Sequence, residues 1–365
     1  MPRMPHHALE ILRDKLPSQP HLVIEQSLKH DMDDVVASIL PRMRLAVVDD
    51  TRTAQASGEK VFRALAARFD CAHVTYALSP EADDAAVAYL EAHTGKADAL
   101  VAVGSGTIND LCKYVSHRHG KPYISVPTAA SMNGYLSANA SITVEGYKKT
   151  LPAQMPMAVL VDLSVLAAAP VRLNVSGLGD SLARSTAQAD WLLSHLVLGT
   201  AYDAGLFDLL LPLEEELHAG ARGIALANTA SLGVLVRSLL ISGLAMTAAR
   251  GSYPASQGEH MIAHAYGMLK GAHPLPRTFH GEEIGVTTLT MARLQEKLLR
   301  AKPALRMDAF DGARISALFS EGMAQEAAKA YGEKRLSMER GASLAKWDAI
   351  AEAVTAVHVP AERIA

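Results

Sequence analysis

The sequence predicts a two-domain α/β protein, with a parallel-sheet domain over residues 1–170 and an all-α domain over residues 171–365. Three observations carry the prediction. Short apolar runs alternate with stretches of helical spacing as far as Asp162, the pattern of parallel strands joined by crossover helices. From residue 173 onward helical periodicity runs almost unbroken, with no alternating strands. The change of pattern around Pro170 puts the boundary near residues 163–175.

Residues up to about Ser38 read as a helical extension with one short apolar piece, Leu22-Val23-Ile24. Arg44 to Asp50 is an apolar run ending in two acids, a buried strand by length and composition. Helical spacing follows from Thr53 to Phe69, then a β-like run from His73 to Tyr76 and an acidic helix from Pro80 to Thr94. Ala99 to Val103 is the next strand, followed by the loop Gly104-Ser105-Gly106-Thr107-Ile108-Asn109-Asp110, a helix from Leu111 to His119 and a strand from Tyr123 to Pro127. Parallel sheets bind ligands at the carboxyl ends of their strands. The glycines of this loop let a pyrophosphate approach the backbone, and the following helix aims its N–H groups at it. Asn109 stands where the third glycine of the usual dinucleotide fingerprint falls, so the motif alone is compatible with a plain turn.

Thr128 to Lys149 is polar and small, which suits a loop or hairpin around a ligand or on the surface. A last strand, Ala158 to Asp162, closes the alternating region. Ser176-Gly177-Leu178-Gly179-Asp180 then brings a carboxylate toward a helix N-terminus, where aspartate serves either as a ligand or as a cap. Ser256 and Asp308 read as further caps.

Composition narrows the classes. Hydrophobic residues make up 49%, charged residues 20%, and the net charge is −3, an ordinary globular balance without the basic stripe that nucleic acid requires. Two cysteines, Cys71 and Cys112, build no disulfide framework, which fits a cytoplasmic location. The N-terminus shows no apolar signal region. The most apolar stretch, Ile224 to Ala248, is interrupted by Asn228, Ser231, Arg237, Ser238 and Ser242. It reads as a buried helix and not a membrane span.

The chemistry concentrates between Gly251 and Val286. His260 and His264 fall four apart on the first turns of a helix, hence on one face, and His280 opens another helix after a loop. His273, beside a proline in that loop, reads as a turn residue. Imidazoles so spaced can share one ion, or one can bind while the other works on a substrate, and a carboxylate commonly completes the set. Asp180 is the candidate for that third ligand. The metalloprotease helix does not fit, because Glu259 precedes the first histidine and Met261, Ile262 and Ala263 hold no general base.

Six motifs, in this order, resemble the superfamily of dehydroquinate synthases, glycerol dehydrogenases and iron-type alcohol dehydrogenases. They are Gly-Ser-Gly-Thr-Ile-Asn-Asp (104–110), Ser-Val-Pro-Thr-Ala-Ala-Ser-Met-Asn-Gly (125–134), Gly-Leu-Gly-Asp (177–180), Asp190-Trp191, Gly-Glu-His-Met-Ile-Ala-His (258–264) and His-Gly-Glu-Glu (280–283). Over residues 40–300 they look closest to the glycerol-1-phosphate dehydrogenase branch, bacterial type. The resemblance implies a Rossmann-like N-terminal domain and a helical metal-binding domain, the dehydroquinate synthase-like fold. It implies NAD(H) or NADP(H) at Asp50, Gly104, Ser105, Gly106, Thr107, Asn109, Asp110, Thr128 and Ser131. It implies one divalent metal (zinc or nickel, with iron used by the alcohol dehydrogenases) on Asp180, His260 and His280. His264 and Asn133 are the implied catalytic residues, acting on a triose phosphate. Asp50, ending the first alternating strand, favours NADH because a carboxylate that accepts ribose hydroxyls repels a 2′-phosphate.

Two departures mark the chain. Asn133 replaces the branch's usual aspartate, and Ser256-Gln257-Gly258-Glu259-His260 varies its Ser-Gly-x-Glu-His. Alternatives remain on the same scaffold: a glycerol dehydrogenase acting on an unphosphorylated alcohol, a dehydroquinate synthase-like cyclase, or a non-catalytic binding protein. The cyclase carries glutamate at the position of Asp180 and lysine at that of Ala183, which counts against it. A homo-oligomer is compatible with the sequence.

Overall fold

The computed structural model describes residues 12, 15–28, 32–77, 79–144, 147–272, 276, 278–304, 309–319, 321–341, 344 and 346–365. His273 and Asp308 lie outside them. The chain divides into two compact units, Met1–Ser181 with Asp208–Gly251, and Leu182–Phe207 with Ser252–Ala365.

The first unit opens with β1 (His21–Glu25), α1 (Met32–Ile39) and β2 (Leu45–Asp50). A continuous helical segment follows, made of α2 (Thr51–Thr53), a π-helical turn (Ala54–Gly58) and α3 (Glu59–Ala66). Then come β3 (Cys71–Tyr76), α4 (Asp84–Thr94), β4 (Ala99–Gly104), α5 (Gly106–His119) and β5 (Tyr123–Pro127). A 3-10 helix (Asn133–Leu136) leads to the antiparallel hairpin of β6 (Asn139–Val144) and β7 (Tyr147–Pro152), and β8 (Ala158–Asp162) completes the sheet. Six strands pair in the order β1-β8-β5-β4-β2-β3, all parallel.

The burial pattern explains why the central strands read as unbroken apolar runs. β2, β4, β5 and β8 are buried at every position because both faces are covered, while the edge strand β3 alternates. Ala46, Val48, Leu100 and Ala102 pack one face against Leu90 of α4 and Leu111 and Val115 of α5, joined by Ala140 and Ile142 of the hairpin. Leu45, Val47, Val101 and Val103 pack the other face against Val36 of α1 and Val61 and Leu65 of α3.

The structure changes three expectations in this unit. Leu22-Val23-Ile24 belongs to an edge strand paired with β8 and not to a helical extension. An apolar piece so short carries no period of its own, and only the neighbouring strand makes it β. The helix expected from Leu111 begins at Gly106, directly after β4. Asp180 lies in the last turn of a helix, not the first, as described below.

Four more helices follow β8: α6 (Leu163–Ala168), α7 (Val171–Leu182), α8 (Arg184–Leu198) and α9 (Gly205–Asp208). α10 (Leu211–Ala225) and α11 (Thr229–Ala248) belong with the sheet, so the units do not divide at residues 170/171. The reason is packing on the 3-10 helix. A Cβ at Gly243 of α11 would come within 2.8 Å of Asn133 O, so the bare glycine admits that helix against α11. Thr247 adds two bonds, accepting from Ala138 N–H at 3.0 Å and donating to Leu136 O at 3.1 Å. α11 is long and apolar enough to cross a membrane, but 78% of its apolar window is buried inside the protein.

The second unit is helical: α8, α12 (Gly258–Ala272), α13 (His280–Leu299), α14 (Gly312–Leu318), α15 (Glu321–Gly341), α16 (Trp347–Thr355) and α17 (Ala361–Ile364). Ala183, Ala263 and Ile284 form a small core where the chain enters α8 beside α12 and α13. Ala189 packs on Ile350 and Val354 of α16.

Candidate active site

In the first unit the chain runs from β2 outward to β3, then returns past β2 to β4 and outward to β5 on the other side. The strand order therefore reverses between β2 and β4, and open α/β sheets bind ligands outside the carboxyl ends of such a pair. Asp50 ends β2 and Gly104 ends β4. α5 starts two residues after Gly104 becomes the last of its strand, with Ser105 extended at its N-cap. A Cβ on Gly104 would meet Ile108 Cβ at 2.6 Å, and one on Gly106 would meet Met132 Sδ at 2.9 Å. The glycines let the helix start hard against the strand. Thr107 continues that first turn, and Thr128 anchors the next strand end by donating its N–H to Gly104 O at 3.1 Å.

Other expected cofactor residues have scaffold partners. Asp50 Oδ1 accepts from Arg52 N at 2.8 Å and Thr53 N at 2.9 Å, and Thr53 Oγ1 accepts from Asp50 N, which makes a capping box for α2. Asn109 Oδ1 accepts the Ser125 hydroxyl at 2.9 Å, tying α5 to β5. Asp110 accepts Lys113 Nζ at 3.2 Å and Ser141 N at 3.1 Å. Ser131 Oγ lies 3.3 Å from Tyr135 OH.

Asp180 is buried near the end of α7. The face of α7 that carries it is fixed against the Ala129–Asn133 segment. Asn174 Oδ1 accepts Ala130 N–H at 2.9 Å, and a Cβ on Gly177 would lie 1.8 Å from Ala130 O. Asp180 Oδ2 accepts the backbone N–H of Asn133 at 2.7 Å. Asn133 thus reaches this carboxylate through its main chain, a contact that the family's aspartate would keep.

In the second unit the three histidines converge. Ring centroids lie 5.8 Å apart for His260 and His264, 5.2 Å for His260 and His280, and 5.8 Å for His264 and His280. α12 begins at Gly258 and α13 at His280, so His260 and His280 stand on first turns and His264 on the second turn of α12. Ligand atoms of His260 and His280 are within 4.8 Å of each other. His260 Nδ1 lies 2.8 Å from Glu259 Oε1. Because a carboxylate accepts, Nδ1 is the nitrogen that donates to it, which leaves Nε2 as the atom to meet an ion. This is how a histidine ligand is held, its second nitrogen donating to a carboxylate, so the cluster fits a metal.

The family model for iron-containing alcohol dehydrogenases matches residues 23–170. Glycerol-1-phosphate dehydrogenase (NAD(P)+) of Thermococcus sibiricus is 34% identical over 276 residues, 74% of this chain and 77% of that protein. The Pyrococcus furiosus protein of the same name is 35% identical over 68% of this chain and 70% of its own. The Bacillus subtilis one is 34% identical over 60% of this chain, a match spanning 55% of that protein's length. The chain belongs to the glycerol-1-phosphate dehydrogenase family. Among solved structures, glycerol dehydrogenase from Schizosaccharomyces pombe aligns with a TM-score of 0.63 at 18% identity, covering 94% of this chain and 90% of its own. An iron-containing alcohol dehydrogenase from Thermotoga maritima aligns at 0.58 and 14%, over 80% and 88%. These likenesses establish the two-domain fold.

Several residues of this family member escaped the sequence reading. Lys113 is fully buried and bonds Asp110, Gly134 O, Ser137 Oγ and Asn139 O. Its i,i+3 spacing from Asp110 was the available signal. Arg184, the first residue of α8, is 7% exposed, and burial pushes its pKa down to about 10. Asp49 is fully buried, accepts Thr75 Oγ1 at 2.7 Å and lies 2.7 Å from His73 Nε2. Asp190 sits behind α12, and burial pushes its pKa up to about 6, with the charge of Glu259 adding to the rise. Ser137 Oγ lies 3.2 Å from Lys113 Nζ, and Lys148 is exposed on the hairpin.

Proposed function

We propose that the protein reduces dihydroxyacetone phosphate to glycerol 1-phosphate with a reduced nicotinamide cofactor and one divalent metal ion. The observation that carries this is the convergence of His260, His264 and His280 with the His260 tautomer held by Glu259. We assign Asp180 as the third ligand beside His260 and His280, as the Gly-Leu-Gly-Asp motif of the resemblance implies. One carboxylate and two imidazoles suit zinc, nickel or ferrous iron.

A bound nicotinamide would supply hydride to a ketone carbon, and a bound divalent ion would polarise the carbonyl. The chain's own residues supply the rest. Asp180, His260 and His280 would hold the ion. His264, next to both other rings, hands on the proton that the new hydroxyl gains. The start of α5 at the switch point receives the cofactor pyrophosphate through its free-running N–H groups, with Gly104 and Gly106 keeping side chains out of the way. A cyclase is disfavoured by Ala183, which is packed against Ala263 and Ile284 where that family places lysine. Both cysteines are free thiols, in keeping with a cytoplasmic enzyme.

NADH oxidation tests the reading directly. Zinc- or nickel-loaded protein is expected to turn over dihydroxyacetone phosphate with a higher kcat/KM than dihydroxyacetone. Better use of the unphosphorylated ketone would replace this reading with a glycerol-type dehydrogenase.

Cofactor choice is a second expectation. Asp50 keeps its carboxylate at the end of β2, beside the switch point, where it disfavours a 2′-phosphate. NADH is therefore expected to be the more efficient cofactor. Equal efficiency with NADPH would mean that Asp50 serves only as the cap of α2.

A further inference from the structure

Behind the histidines lies a set of buried polar side chains that the proposed reaction does not consume. Glu259 is fully buried. Besides meeting His260 Nδ1, its Oε1 accepts Gln257 N–H at 2.8 Å, and its Oε2 accepts the Thr186 hydroxyl at 3.1 Å. Asp190, one turn beyond Thr186 on α8, accepts Gly258 N–H with Oδ2 at 3.1 Å and the Gln295 amide with Oδ1 at 2.7 Å. Gln295 is itself buried. Its Nε2 also donates to Thr186 O at 3.0 Å, and its Oε1 meets His358 Nδ1 at 3.0 Å.

These bonds constrain where the donors point. Carboxylates accept, so Gln295 turns its amide nitrogen to Asp190 and its oxygen to His358, which donates from Nδ1. Glu259 likewise accepts from His260 Nδ1 and Gln257 N, and from the Thr186 hydroxyl, which also reaches Ala183 O. These contacts hold the carboxylate in place. The two N–H groups it and Asp190 accept, at 257 and 258, are the start of α12, so the same network fixes the backbone that carries His260.

We propose that Glu259 is a positioning residue of the metal site. It holds His260 as the Nδ1–H tautomer, aims Nε2 outward and makes that nitrogen the stronger donor, while Thr186, Asp190 and Gln295 hold Glu259 and the helix start. The proposal rests on His260 being a ligand, as assigned above. A purely structural Glu259 would stabilise α12 without setting the tautomer.

The test uses the whole chain freed of metal. Long-range 1H–15N correlation reads the His260 tautomer, and competition with a chromophoric chelator reads Zn2+ affinity. Glu259→Gln is expected to abolish the pure Nδ1–H tautomer and weaken Zn2+ binding by about 10–100-fold, the usual effect of losing such a partner. Thr186→Val, which keeps the carboxylate and nearly the same shape, should weaken binding less and leave the tautomer in place. A Glu259→Gln protein with wild-type tautomer and wild-type Zn2+ affinity would overturn the proposal. Running His260→Ala in the same competition separates the two readings. If it alone loses Zn2+, only the role of Glu259 fails. If it also binds like wild type, the ligand assignment fails with it.

Discussion

Purified His260→Ala protein is expected to hold less than about a tenth of the wild-type metal, and to lose its activity with the metal, because one of the three proposed protein ligands is gone. Elemental analysis after dialysis against a weak chelator reads the content. The substitution also strips Glu259 of a buried donor, which costs about 1–3 kcal/mol. His260→Gln, which retains a hydrogen-bonding side chain of similar size, separates that loss of stability from the loss of metal. His264→Ala should behave differently. It is expected to keep the metal and lose about 10²–10⁴-fold in kcat, the range for a positioned proton-transfer group. Full metal content in His260→Ala, with native circular dichroism, would remove His260 from the ligand set. Lost metal in His264→Ala would move His264 into it.

The histidine cluster was legible because its information is local. Two helix starts and an i,i+4 spacing put three rings within the first two turns, and the structure has those helices beginning at Gly258 and His280. The central strands were legible for a similar reason, since burial on both faces writes unbroken apolar runs into β2, β4, β5 and β8. What the sequence concealed depends on distant partners. β1 becomes a strand only through β8. Asp180 was expected to enter at a helix start because glycines precede it. Gly177 instead serves a close approach, letting the middle of α7 press on Ala130 and leaving Asp180 in the last turn. The return of α10 and α11 to the sheet unit hangs on Gly243 admitting the 3-10 helix, which no periodicity in the chain announces. Lys113 is the same kind of case. A lysine on a helix normally reads as solvated, and only four acceptors drawn from three separate segments make it a core residue.

That lysine carries the second large effect. Lys113→Met is expected to destabilise the protein by about 3–5 kcal/mol, the cost of leaving one charge of a buried pair unpaired. Burial pulls the Lys113 pKa down while Asp110, 3.2 Å away, pulls it back up. The Lys113→Met/Asp110→Asn double variant should recover part of the loss, since it removes the orphaned carboxylate. Urea unfolding of the full chain measures both. The substitution should also reach the site. Lys113 Nζ holds Gly134 O within the 3-10 helix and Ser137 Oγ just after it, and the first residue of that helix, Asn133, gives its N–H to Asp180 Oδ2. Releasing the lysine loosens the turn that presents this N–H, so Zn2+ affinity should fall along with stability. A Lys113→Met protein that unfolds at the wild-type urea midpoint would show that the buried pair contributes nothing. One that is destabilised but binds Zn2+ as wild type does would confine Lys113 to the scaffold and cut the link from α5 to Asp180.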